Sequence, residues 1–224
     1  MTALSKLTLA IAVLALAACD SPNHPEATAP GYTFSYSQTA NGHLDAILGS
    51  PDSEGDESSD YMSRDMDITG EVETASSFEE AAQRAWAIAD GASTPEARAV
   101  LRETAALYLL GHWGQRVTPD EWQGIAQAVE VLAEVESPEA ELFADGLAVI
   151  GDRWPADRRL AVARAALAGV DASGLARCML CQDVENEAPE NPVLREGWAE
   201  REAQWEAETA RRDAAVQQLE QIAG

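Results

Sequence analysis

Lysine is all but missing from this chain: Lys6 is the only one, and it precedes Cys19. With no side-chain amine after that point, Schiff-base catalysis and P-loop phosphate binding are excluded. Histidine is nearly as scarce. His24, His43 and His112 are scattered, which leaves no zinc set at ligand spacing, and His112 alone cannot supply a convincing Ser-His-Asp order. Only three cysteines occur. The apolar run from Leu7 to Ala18 falls short of the ~20 residues that a membrane-spanning helix needs. Positive charge is short overall: after Cys19 there are 14 Arg against 39 acidic residues, and 14 − 39 gives −25. Such a chain repels nucleic acid phosphates and anionic headgroups, so nucleic acid is not an expected partner. The charge fits solubility in a salty or cation-rich medium, with a cationic partner as the sharper alternative.

What the N-terminus does contain is specific. Met1–Ser5 with Lys6 has the character of an n-region, and Leu7–Ala18, apolar apart from Thr8, has the length of a secretory h-region. It ends in Leu16-Ala17-Ala18-Cys19. This stretch resembles the lipobox of bacterial lipoproteins, a likeness confined to residues 1–20. The resemblance implies that Cys19 receives a diacylglyceryl group, with fatty acids of the palmitate kind, and becomes the first mature residue after residues 1–18 are removed. A diacylated cysteine supplies the two chains that stable anchoring takes. It also implies a place in the envelope of a Gram-negative bacterium, bound to the lipid bilayer and facing the periplasm. In enterobacterial lipoproteins an Asp in the next position, here Asp20, resembles an inner-membrane retention signal. Ala15-Leu16-Ala17 also reads as an ordinary small-x-small cleavage site.

Residues 19–75 read as a flexible acidic linker. Tyr32, Phe34 and Tyr36 alternate with small polar residues, a strand period over one short run that docks on the helical domain or a partner, or stays extended. His43–Leu48 has the makings of one helical turn. The run DSEGDESSD (52–60) is too charged and too poor in apolar groups to offset the entropy of ordering. Asp65-x-Asp67-x-Thr69-Gly70-Glu71 matches the first half of an EF-hand loop, but position twelve is Ser76 and no helix is expected before it, so it is set aside as a chance match.

From Ser76 the apolar period becomes 3.6, and residues 76–190 are expected to be all-α: an irregular helical bundle or a short α-solenoid of helical hairpins. Four starts carry cap signals: Ser76/Ser77 with Glu79/Glu80, Thr94-Pro95-Glu96, Thr118-Pro119-Asp120-Glu121 and Ser137-Pro138-Glu139. Ala105–Leu110 (AALYLL) is apolar almost all round and is predicted to lie at the centre of the core. Trp122, Ile125, Val129 and Leu132 form one stripe; Leu142, Phe143, Leu147 and Ile150 another; Leu160, Ala163, Leu167 and Val170 a third. Residues 191–224 predict a long C-terminal helix. Its stretch from Glu206 to Asp213 is too polar for deep burial, and Trp198 and Trp205 are candidates for partner contact or for packing on the bundle.

Cys178-Met179-Leu180-Cys181 is the main candidate for chemistry. Gln182 stands where haem attachment needs His, no second C-x-x-C completes a zinc site, and no βαβ context surrounds it. In an oxidising compartment these two cysteines are expected to form a local disulfide. The functional expectation is a non-enzymatic interaction or scaffold module on a membrane anchor, without catalytic, cofactor or metal residues, whose partner is an envelope protein. The alternatives are a thiol–disulfide protein using Cys178 and Cys181, or a cation-binding envelope protein.

Overall fold

Two hydroxyl side chains show how the chain is cut into helices. Ser77, in extended backbone, accepts from the amide of Glu80, and Thr94 does the same for Ala97 with Pro95 behind it. The computed structural model describes residues 34–49, 56–114, 116–173 and 198–224. Among them are eight α-helices: α1 (Gln38–Gly49), α2 (Asp56–Thr74), α3 (Phe78–Asp90), α4 (Pro95–Trp113), α5 (Trp122–Glu134), α6 (Ala140–Ile150), α7 (Ala156–Ala172) and α8 (Trp198–Ala223). Short 3-10 turns precede α5 and α7. No strand occurs among the described residues, and the architecture is an all-α bundle.

Helix α4 sits at its centre. Val100, Leu101, Ala105, Ala106, Leu107 and Leu109 are closed off from solvent, and α1, α2, α3, α5 and α6 all pack around it. This is where the all-round apolar run AALYLL was predicted to lie. The stripes of α5 and α6 also face inward: Ile125, Val129 and Leu132 meet Leu142, Phe143, Leu147 and Ile150 in the same core. In α7 the deepest positions are Val162, Ala163, Ala166 and Gly169, while Leu160, Leu167 and Val170 are half-buried. Small side chains let α7 come close. A Cβ on Gly169 would lie 2.3 Å from the carbonyl oxygen of Glu136 and 2.4 Å from that of Ser137.

That turn departs from expectation. Ser137 does not cap α6, which begins at Ala140 behind Glu139 without a side-chain cap. Instead Glu136 adopts φ 51°, its amide donates to Ala133 O, and that of Ser137 donates to Leu132 O. The pair closes the end of α5 as a Schellman motif, with Glu136 in the position usually given to glycine. The Ser137 hydroxyl is left buried with no hydrogen-bond partner among the described residues. Closing α5 thus prevails over starting α6.

The linker expected over 19–75 is corrected more substantially. Residues 38–49 and 56–74 are helical, and Tyr61, Ile68 and Val72 of α2 are core residues. Charge density argues for disorder there, but Asp67 and Glu73 face solvent while Tyr61, Ile68 and Val72 line up on the inner face; Met62 and Met66 stay exposed. Val72, Ile68 and Tyr61 are four and seven residues apart and face α3 and α4, and Trp113 Nε1 donates to Val72 O at 3.1 Å. The half EF-hand pattern from Asp65 to Glu71 is therefore helix, not loop. The Arg64 guanidinium donates to the carbonyl of Ile88 near the end of α3, and Arg84 bridges Glu71 and Glu80.

Helix α8 packs on α6 and α7 through Ala215 and Leu219, with Val216 and Ile222 partly covered. Most of its described side chains between Ala203 and Asp213 are exposed. Residues 33–224 form one compact unit.

Candidate functional site

Polar groups inside an apolar bundle need a reason, and here they gather where the chain enters the fold. Phe34, Ser35, Tyr36 and Ser37 run as an extended strap against α4 and the start of α6. The alternation seen in the sequence sorts their contacts. The Phe34 ring meets Tyr108 of α4 edge-on, with centroids 5.3 Å apart, and the Tyr36 hydroxyl lies 3.1 Å from Thr104 Oγ1. The intervening serines present their amides to two carboxylates. Ser35 N donates to Glu139 Oε1 at 2.6 Å, and Ser37 N donates to Glu103 Oε1 at 2.7 Å. So the run does dock on the helical domain, and it does so without a strand partner.

Glu103 is fully buried, and none of the ion pairs among the described residues includes it. Ser37 takes the place of a cation. Its hydroxyl donates to Glu103 Oε2 at 2.7 Å and accepts from the amide of Ala40 at 3.1 Å, which makes Ser37 the N-terminal cap of α1. Both carboxylate oxygens therefore receive a donor, and the positive end of the α1 dipole points at them. Burial pushes the Glu103 pKa up, and the two Ser37 bonds oppose that rise. An uncompensated buried carboxylate is costly, so Glu103 and the strap are mutually dependent.

Glu139 is partly exposed as a residue, yet its carboxyl end is enclosed. Burial raises its pKa to about 7; the Ser35 amide and the Arg212 charge pull the other way, and Glu141 adds to the rise. Arg212, with Arg211, which lies 3.8 Å from Glu141, comes from the polar middle of α8. That stretch is thus not only a solvated face: it places two guanidinium groups near the acids at the start of α6. On the other side of the strap, Tyr61 and Asp65 of α2 approach Tyr36 and Thr104. Burial raises the pKa of Tyr36, Tyr61 and Asp65, a Thr104 hydrogen bond opposes the rise at Asp65, and Asp65 Oδ1 is enclosed without a hydrogen-bond partner among the described residues. Gln38 completes the junction by donating from Nε2 to Ala172 O, at the end of α7, at 2.8 Å.

Chemically this arrangement holds a backbone: carboxylates accept amides, and aromatic rings fill the spaces between. Sequence reasoning gave Asp65 and Glu139 other roles, in a half EF-hand pattern and a helix start, and missed Glu103, because a Glu inside an apolar helix signals an anomaly without naming its partner 66 residues away. The one usable sign was Glu103 interrupting the otherwise apolar face of α4.

The residues singled out from sequence fall elsewhere. Cys19, Asp20, Cys178 and Cys181 lie outside the described residues. Trp198 and Trp205 are on α8, and the structure describes that helix but not those two side chains. His112 ends α4 as a helix-end side chain, edge-on to Trp113 and 3.3 Å from Arg116 Nη1; burial first and Arg116 second lower its pKa. Among the described residues no cluster of three or more His, Cys, Asp or Glu is placed to hold a metal ion. No described helix is long and apolar enough to cross a membrane. The chain matches no protein-family model, no curated protein and no solved structure.

Proposed function

We propose that this chain is a lipid-anchored lipoprotein of the bacterial envelope, facing the periplasm, whose helical bundle is a non-enzymatic interaction or scaffold module. The observation that carries this reading is Leu16-Ala17-Ala18-Cys19 behind a Lys6-bearing n-region and the apolar run Leu7–Ala18. The bilayer is bound through Cys19, Asp20 favours the inner membrane, and the expected partner is an envelope protein rather than nucleic acid.

The fold supports this reading in a specific way. With the helical domain starting at the strap, only residues 20–33 separate Cys19 from the bundle, not the long tether expected from sequence. Fourteen residues span at most ~50 Å when fully extended. The strap is then the joint between anchor and bundle, and its bonds to α4 and α6 suit a holding role. Cys19→Ser should abolish lipid labelling and release the protein from membranes; unchanged membrane association would refute the anchor. Crosslinking of the anchored protein in cells, followed by identification of its neighbours, tests the scaffold role. Turnover of a cell-wall or thiol substrate by the purified mature protein would overturn it.

A further inference from the structure

Helix α1 is the least secured part of the bundle. It packs on α4 and only lightly on α2; its buried apolar side chains are Ala40 and Ile47, with Leu44 partly buried. Gly42 lies mid-helix with nothing within 4 Å of a Cβ added there, so this helix gains little from its own sequence. Besides the packing of Phe34, Tyr36 and Leu44 against the core, what fixes it together with the strap is a row of polar bonds: Ser35 to Glu139, Tyr36 to Thr104, Ser37 to Glu103 and Gln38 to Ala172. Water can replace each of these on release, so their net contribution to docking is small beside their number. Glu103 in particular regains hydration when Ser37 leaves. The remainder does not depend on α1: α4 keeps α2, α3, α5 and α6 around it, and α2 keeps Ile68 and Val72 in the core.

We propose that residues 34–49 are a clasp that undocks from α4 as one unit, leaving α2–α8 folded, and so sets how far the bundle stands from its anchor. The second half rests on Cys19 being that anchor. With the clasp docked, residues 20–33 bridge to the bundle; with it released, residues 20–55 do, 36 in place of 14. The upper limit of reach then rises from ~50 Å to ~100 Å even if α1 stays helical at 1.5 Å per residue. A partner that binds the bundle farther from the bilayer than the short bridge allows selects the open form, and one near the surface selects the closed form.

The test uses the mature lipidated chain in phospholipid vesicles. Amide hydrogen exchange should show residues 34–49 exchanging together, at least tenfold faster than the buried amides of α4 and α5. Glu103→Ala should speed exchange of 34–49 a further tenfold or more while α5 and α6 stay unchanged. Ser37→Ala, which removes only the hydroxyl arm, should give a smaller change in the same direction. Exchange of 34–49 at the rate of the α4 core, or a strap and α1 that respond separately, would overturn the clasp. For reach, energy transfer from a dye at exposed position 148 on α6 to an acceptor on the vesicle surface should fall in Glu103→Ala. Faster exchange with unchanged transfer would overturn the reach half alone. A Cys19→Ser protein that stays on the vesicles would remove the anchor and leave the exchange result standing.

Discussion

Gly169→Ala should destabilise the bundle although it replaces a poor helix former with the best one. The new Cβ would lie 2.3 Å and 2.4 Å from the carbonyl oxygens of Glu136 and Ser137, and 2.7 Å from the carbonyl carbon of Glu136. All three are backbone atoms, so no side chain can swing away. Helix α7 or the α5–α6 turn must retreat by about 1 Å, and that turn is already held by the Glu136 and Ser137 amide bonds. Overpacking of this kind costs about 1–3 kcal/mol or more, against ~1 kcal/mol gained in helix propensity. A backbone clash belongs at the upper end, for a net loss of about 2 kcal/mol. In a unit of this size that lowers Tm by roughly 4–8 °C. Gly42→Ala is the control of opposite sign: it meets no atom within 4 Å and should stabilise α1 locally by about 0.5–1 kcal/mol. Circular dichroism during thermal and urea unfolding measures the Gly169 change, and exchange protection of α1 measures the Gly42 change. If Gly169→Ala were neutral or stabilising, the close approach of α7 to the α5–α6 turn would be wrong.

Other outcomes follow from the same geometry. Glu139, raised from 4.5 to about 7, adds stability that is present below its unfolded value and lost as pH rises through 7, a span of about 3 kcal/mol. Urea unfolding at pH 5 and pH 8 should therefore show a pH-dependent difference between the native chain and Glu139→Gln; a constant offset would show that Glu139 titrates normally. Glu136→Gly relieves the left-handed φ of 51° and should raise stability by about 1 kcal/mol in equilibrium unfolding; a loss of stability would refute the left-handed turn. Leu219→Ala empties a buried position where α8 meets the bundle and should cost about 2–4 kcal/mol; a negligible loss would mean that α8 is not docked there. For the cysteine pair, thiol counting by mass spectrometry on protein from the envelope should find Cys178 and Cys181 oxidised, and free thiols on both would remove the local disulfide.

Much of the helical pattern was legible in the chain. Ser77, Thr94 and Thr118 start helical segments as their spacing to Glu or Pro implies, because a cap acts over three or four residues. AALYLL marked the core helix, since an apolar surface on all sides has no solvated face to offer. The errors lie where a local signal met a distant one. Charge in residues 52–60 and the acids of α2 suggested an unfolded linker, yet Tyr61, Ile68 and Val72 found a core that only α3 and α4 could provide. Ser137 looked like a cap until the end of α5 took its amide. The sequence alone determined the helical class and the helix starts at Ser77, Thr94 and Thr118, the acidic composition with no Lys after Cys19, and the Cys19 motif, because these depend on nearest neighbours and on counting. Tertiary structure alone decided where the bundle begins and that Glu103 and Glu139 hold the strap. Those bonds join residues far apart in the chain, and a buried carboxylate is stable only beside donors that no local pattern can name.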